Sequence, residues 1–179
     1  EGSYTAVFGC GLIGLGAIAA AEQKGSTVIA IDIDDEKLLR ARRIGAKHTI
    51  NAKSENLENR INQITNNDGC SVVIEAVGAA ATFRNAVSIA SYSGRVVYIG
   101  YTKEEVCYDT KDFVRKEIEI YGSRNALLPE FNLVKSMIIK NPKVFKELIT
   151  SEYDFLDAAK AFKYWHENTN KVTKIILRM

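Results

Sequence analysis

Three glycines, Gly9, Gly11 and Gly14, and an aspartate, Asp32, are the residues of this sequence whose types and spacing could do chemistry. The run Gly9-Cys10-Gly11-Leu12-Ile13-Gly14 follows an apolar stretch and opens an alanine-rich one of helical length. In that setting Gly9 permits a tight strand-to-helix turn, Gly11 lets the backbone approach a pyrophosphate, and Gly14 lets the helix pack against the strand. The N–H groups at the start of the helix, with no partner inside it, then face the negative phosphates. Gly16 lies outside the spacing, and helix packing is its expected role. The same fingerprint asks for an acid closing the second strand, roughly 20 residues on. Asp32 ends "TVIAID" (27–32) and meets that demand. Its carboxylate can accept both hydroxyls of an adenosine ribose and repels a 2′-phosphate. Asp34, Asp35 and Glu36 add to the repulsion, which favours NAD over NADP. The plainer alternative is a helix-capping aspartate in an α/β domain without a ligand.

These residues need elements to hold them. "YTAVF" (4–8) reads as a buried strand, "LIGLGAIAAAEQK" as a helix and "TVIAID" as the second strand. "DDEKLLRARRIG" carries acids in its first turn, bases in its last and Gly45 as a stop, the signature of a helix that suits its own dipole. "KHTIN" (47–51) predicts a third strand, "ENLENRINQIT" a helix with Leu57, Ile61 and Ile64 on one face, and "SVVIEAVG" (71–78) a fourth strand. "AATFRNAVSIAS" predicts a helix, "GRVVYIG" (94–100) a fifth strand and "EIEIYG" (117–122) a sixth. Near-continuous apolar strands alternating with helices imply a doubly wound, six-stranded parallel sheet covered on both faces, an α/β Rossmann architecture. Ligands in such a sheet bind beyond the carboxyl ends of the strands, so the segments Glu75-Ala76-Val77-Gly78 and Ile99-Gly100-Tyr101 join the candidates. Residues 123–179 lack a further strand–helix repeat. They read as amphipathic helices around Phe131, Phe155, Phe162 and Trp165 with a closing strand, "VTKIILRM". The organisation expected is therefore a dinucleotide-binding domain over 1–122 and a mostly helical C-terminal segment over 123–179.

Composition narrows the function classes. Apolar residues make up 46% and charged residues 26%, the balance of an ordinary globular chain rather than a disordered one. The 24 basic and 22 acidic residues are interspersed, and "RARR" (40–43) reads as a solvated helix face, so nothing points to nucleic acid. Cys10, Cys70 and Cys107 are too few and too far apart for a disulfide framework or a zinc knuckle, which fits free thiols in a reducing, cytoplasmic setting. No apolar run reaches membrane-spanning length.

With these segments in hand, the chain resembles the cofactor-binding half of medium-chain, zinc-type alcohol and polyol dehydrogenases. The resemblance runs through "AVFGCGLIGLGAIAAA", "VIAIDIDDEKLLRARRIGA", "VVIEAVG", "GRVVYIG", "RKEIEIYGSRNA" and "DAAKAFKYW…VTKIIL". The sorbitol, threonine and sugar-acid (hexonate) branch is the most similar. What the resemblance implies is specific. Gly9, Gly11 and Gly14 match the phosphate glycines, with Leu12 and Ile13 where backbone N–H groups meet the pyrophosphate. Asp32 matches the ribose acid, and Lys37 a basic residue that contacts the same ribose. Val77 and Gly78 match a loop on the adenine side, and Ile99, Gly100 and Tyr121 lie where family members hold the nicotinamide carboxamide. Arg124 falls one position from an arginine near the substrate. The resemblance also implies a homodimer in which the sixth strands, around 117–122, pair across a two-fold axis with residues from 106 onward flanking the contact.

Zinc is a cofactor of the resembling enzymes, and its ligands belong to a preceding β-rich domain. His48 and His166 stand alone here, Cys10 lies inside the phosphate loop, and no metal ligand set is expected in this chain. The chain starts at Glu1 rather than methionine. The reading is a dehydrogenase lacking its catalytic domain, inert by itself, whose parent oxidises a secondary alcohol of a polyol or sugar acid by hydride transfer to NAD. A zinc-free quinone reductase of the same superfamily, which would prefer NADPH, and a stand-alone NAD-sensing module remain as alternatives.

Overall fold

A computed structural model describes residues 3–179. The chain divides into two compact units, the first ending at Ala126 and the second running Leu127–Met179.

In the first unit, strand β1 (Tyr4–Phe8) is followed by helix α1 (Leu12–Gln23), β2 (Thr27–Asp32), α2 (Asp35–Ile44), β3 (His48–Asn51), α3 (Leu57–Thr65) and β4 (Cys70–Glu75). Helix α4 (Ala80–Ser88), β5 (Ala90–Tyr98), α5 (Lys111–Lys116) and β6 (Glu119–Gly122) complete it. All the strand pairings are parallel, in the order β3-β2-β1-β4-β5-β6. The order reverses between β1 and β4, so the crevice of this sheet opens above the carboxyl ends of those two strands.

The inner strands form where both faces are buried. In β1 and β2 every residue from Thr5 to Phe8 and from Val28 to Ile31 is buried, and alternate side chains enter two separate layers. Phe8, Ile29, Ile31, Ile50, Val73 and Val96 form a continuous apolar cluster with Ile61 of α3 and Ala86 of α4. Helices α1 and α2 pack elsewhere on the strands, burying Leu15 and Ile18 from one and Leu38, Ala41 and Ile44 from the other. The helix ends are set by local polar groups. Asp34 caps α2 by accepting hydrogen bonds from the N–H groups of Glu36 and Lys37, and Asn56 caps α3 by accepting from Asn59.

Some boundaries differ from those read in the sequence. Helix α4 stops at Ser88 because Ala90 already pairs with Cys70, and β5 starts there rather than at residue 94. The register shifts between Cys70 and Val72 and resumes with Val72 opposite Arg95, so extra residues of β5 bulge out and break the alternation a pattern search relies on. Helix α5 was not anticipated; its six residues are too few to show a period.

The second unit contains α6 (Leu128–Lys140), α7 (Pro142–Lys146), β7 (Ser151–Asp154), a 3-10 turn (Phe155–Asp157), α8 (Ala158–Glu167) and β8 (Ile175–Arg178). It is mostly helical, as expected, but β8 has a parallel partner in β7 that the sequence pattern did not reveal. Its sequence, "SEYD", has no apolar run.

Ile29 is fully buried in the apolar cluster of the sheet. Ile29→Ala should lower stability by about 2–5 kcal/mol, seen as a lower urea midpoint at an unchanged denaturant slope.

Candidate cofactor site

The first loop of the site is fixed by one close approach. A Cβ on Gly14 would lie 1.7 Å from the carbonyl oxygen of Gly9, so any side chain there drives α1 off the turn. Gly9 itself has φ +89, a left-handed conformation that glycine adopts without strain, and its N–H donates to the carbonyl of Ile31. The turn is thereby tied to β2 while the helix starts directly above it. The first hydrogen bond within α1 runs from the N–H of Leu15 to the carbonyl of Gly11, and no side chain caps the helix. The N–H groups of residues 11–14 therefore remain as donors at the positive end of a 12-residue helix. Around Gly11 the space is open, with nothing within 4 Å of where a Cβ would stand. Leu12 and Ile13 are exposed at the same helix start. Gly16 corrects an expectation: its surroundings are equally open, so no close helix packing requires glycine there.

Asp32 sits at the end of β2 beside this loop, half-buried. One carboxylate oxygen accepts the N–H of Cys10 at 2.7 Å, and the other accepts those of Ile33 at 2.7 Å and Asp34 at 3.1 Å. The sequence suggested a carboxylate waiting for ribose hydroxyls. The structure shows one that also pins the glycine loop to the next strand, with lone pairs left over for a ligand. Lys37, in the first turn of α2, is close enough for its charge to reach Cys10.

Across the crevice, β4 ends in Glu75, which is completely buried. Its Oε1 accepts the N–H groups of Val77 and Gly78, each at 2.9 Å, and the hydroxyl of Thr82 at 2.7 Å. Its main-chain carbonyl accepts the N–H groups of Ile99 at 2.9 Å and Gly100 at 3.0 Å. Sequence reasoning placed Glu75 among the candidate segments but gave it no role. The available signal was an acid closing an apolar strand, the same position that Asp32 occupies in β2.

The glycine loop and the ends of β4 and β5 are brought together. A Cβ on Gly9 would touch Val77, and one on Gly78 would lie 2.7 Å from the carbonyl oxygen of Tyr101. The space that Gly78 and Gly100 leave is filled first by each other's loops. Val77 projects from this junction and is half exposed. Tyr121 stands apart in β6, with its ring under the guanidinium of Arg95, 5.4 Å from the ring centre. Arg124 lies exposed beyond the end of β6. Among the described residues no three of His, Cys, Asp and Glu gather in a group that could hold a metal ion.

The sequence profile of a family described as zinc-binding dehydrogenase matches residues 13–140. The chain belongs to this family. Its match corresponds to the cofactor-binding half of the zinc-type, medium-chain alcohol dehydrogenase family. The chain is 34% identical over 171 residues to the D-xylulose reductase of Scheffersomyces stipitis, an alignment that covers 90% of the chain and 47% of that protein. Among solved structures it is similar to the alcohol dehydrogenase TADH of Thermus sp. ATN1, with a TM-score of 0.91 at 26% identity over 99% of this chain and 52% of that one. An alcohol dehydrogenase of Escherichia coli CFT073, solved with NADH, gives a TM-score of 0.90 at 25% identity, covering 100% and 53% of the two chains. The chain spans about half the length of the curated relatives it matches. No helix among the described residues is long and apolar enough to cross a membrane.

The site also sets thiol reactivity. Burial, reinforced by the Asp32 carboxylate, pushes the Cys10 thiol far above its ordinary value, and burial pushes that of Cys70 up to about 12. Cys107 is exposed. Brief treatment with iodoacetamide at pH 8 should therefore label Cys107 alone, and denaturant should expose Cys10 and Cys70. Mass mapping of the labelled peptides checks this, and early labelling of Cys10 would show that its side chain is not buried as described.

Proposed function

We propose that this chain binds NAD(H) for a dehydrogenase that oxidises a secondary alcohol of a polyol or sugar acid. The observation that carries the proposal is the row of unpaired N–H groups at Gly11, Leu12, Ile13 and Gly14, with open space over Gly11 and the Asp32 carboxylate alongside. The pyrophosphate lies on those amides, where the helix end and the backbone donors favour negative charge. Asp32 takes the adenosine ribose, assisted by Lys37, and its charge excludes a 2′-phosphate. Val77 and Gly78 line the adenine side, and the nicotinamide half lies over the ends of β5 and β6, beside Ile99, Gly100 and the backbone of Tyr121.

NAD, when bound, supplies the hydride acceptor. In the net reaction the carbinol carbon loses a hydride to the nicotinamide ring and the hydroxyl loses its proton, leaving a ketone. This chain's part is to orient the cofactor. The donors found here do not assemble a zinc site, so no step is assigned to zinc through these residues. Arg124, past β6, is retained as the residue on the substrate side. The polyol or sugar-acid class rests on similarity to proteins such as the D-xylulose reductase and the sorbitol dehydrogenases.

Titration calorimetry with NADH and NADPH tests the cofactor reading. NADH should bind more tightly by about tenfold or more, and Asp32→Ala should weaken NADH and narrow the gap. Equal affinities in the unaltered chain would defeat it, and tighter NADPH binding would turn the reading towards a quinone reductase.

The same reading includes a homodimer through β6. This strand is at the sheet edge, and all four of its residues are exposed. The N–H of Ser123 donates to the carbonyl of Tyr98, so by alternation the N–H of Ile120 points away from β5. An outward row of this kind is a template for a second chain. Ile120→Pro removes one outward donor while sparing the bonds to β5. Sedimentation should show a dimer for the unaltered chain and a monomer for the variant; a monomeric parent at tens of micromolar would exclude this interface.

A further inference from the structure

The turn between α3 and β4 is built from residues that suit a sharp change of direction and that can also react with their own backbone. Asn66 and Asn67 take left-handed conformations, with φ of 54 and 66, and Gly69 follows at φ +77. Residue 69 has to be glycine, because a Cβ there would lie 2.9 Å from the carbonyl oxygen of Ile89 and 3.0 Å from the nitrogen of Ser91. The fold therefore places a glycine directly after Asp68, whose side chain is exposed. With no side chain on residue 69 to shield it, the Gly69 nitrogen is the least hindered amide of the turn for attack on a neighbouring carboxyl.

The attack has a defined balance. The Gly69 nitrogen bonds to Cγ of Asp68 and gives up its proton, the carboxyl gives up a hydroxyl, and water leaves as a succinimide ring closes. Water then adds back to one of the two ring carbonyls. Opening on one side restores aspartate. Opening on the other leaves isoaspartate, with the main chain routed through the β-carbon. Nothing but water is lost or gained.

In the folded chain the three amides that could attack are engaged. The N–H of Asn67 donates to the carbonyl of Asn62 at 2.9 Å, and that of Asp68 to the carbonyl of Thr65 at 3.2 Å. The N–H of Gly69 is the one of the three held by a side chain: it donates to Oγ1 of Thr65 at 3.0 Å. The same hydroxyl donates to the carbonyl of Ile61 at 2.8 Å, and Thr65 is buried, so the acceptor is fixed in place. Ring closure requires the Gly69 nitrogen to leave Thr65 and the glycine to leave the β5 backbone against which it lies.

We infer that Asp68 is a site of spontaneous isoaspartate formation and that the Thr65 hydroxyl is the lock that holds the reaction in check in the folded chain. The inference is independent of the cofactor reading. When the lock opens, the damage falls on the sheet. Cys70 begins β4 and pairs with Ala90, and an extra main-chain carbon two residues earlier displaces that start.

The test incubates the 179-residue chain in warm, neutral buffer and measures isoaspartate in the peptide that contains Asp68, by enzymatic methyl transfer to isoaspartyl carboxyls and by fragmentation mass spectrometry. The unaltered chain should form it at least about tenfold faster in urea than when folded. Thr65→Val keeps the shape and loses the hydroxyl, and should raise the folded-state rate about fivefold, the equilibrium factor of one hydrogen bond. Thr65→Ser keeps the acceptor and should stay within about twofold of the unaltered chain. Ile18→Ala, a core deletion in α1, separates the lock from a general loss of stability and should also stay within about twofold. A folded chain that reacts as fast as the chain in urea, a Thr65→Val rate that stays with that of the unaltered chain, or an Ile18→Ala rate that rises as far as that of Thr65→Val overturns the inference. So does conversion of Asn66 or Asn67 ahead of Asp68, which shows as a change of mass from amide to acid. If Thr65→Val does not fold, Asp68→Asn decides. Asparagine before glycine closes the ring faster than aspartate does, yet with Thr65 in place it should survive in the folded chain and convert in urea; equal conversion in both overturns the lock.

Discussion

The structure depends on how closely one helix can come to the turn beneath it. With Gly14 lying on the carbonyl of Gly9, α1 begins immediately after β1 instead of after a longer loop. Three consequences follow from that contact. The helix start is brought to the mouth of the crevice where the strand order reverses. The amides of the first turn point into open space rather than into a cap. The loop is short enough for Asp32, one strand away, to reach the N–H of Cys10. A methyl group at residue 14 would undo all three together.

Two acids close two strands and organise opposite sides of the same crevice. Asp32, half-buried at the end of β2, holds the loop whose remaining amides are open; Glu75, buried at the end of β4, accepts the amides of Val77 and Gly78 and so fixes the loop that follows its own strand. Both do so by bonding to backbone, which places main-chain polarity with far less freedom than a flexible side chain would have.

The sheet was legible in the sequence where burial is complete on both faces. "YTAVF" and "TVIAID" coincide with β1 and β2 because parallel strands covered on both sides must be apolar throughout. Legibility failed where a strand is short or interrupted. "SEYD" has no apolar signal, since β7 belongs to a two-stranded sheet, and near its start β5 shifts register against β4. At the site, Gly9 and Gly14 could be read because their roles belong to the backbone and demand one residue type. The bonds of Asp32 to Cys10, and of Glu75 to Val77 and Gly78, could not, because they depend on which amides the folded chain leaves unpaired. That is a property of three-dimensional proximity between residues 22 positions apart in the first case. Gly16 shows the opposite error: a glycine beside a motif invites a role, and the surrounding space gives it none.

The bond between Asp32 and Cys10 bears on when the loop loses its freedom. A glycine-rich segment is among the most mobile pieces of chain when untethered, and ordering it around a ligand would subtract from the affinity gained. Here the carboxylate fixes the segment from its middle and the Ile31 carbonyl fixes it from its start, both through contacts inside the protein. The entropy is lost during folding, when the hydrophobic layers above and below the sheet are there to offset it. A ligand then arrives at amides already in register, and its phosphate displaces water from a surface that does not have to rearrange.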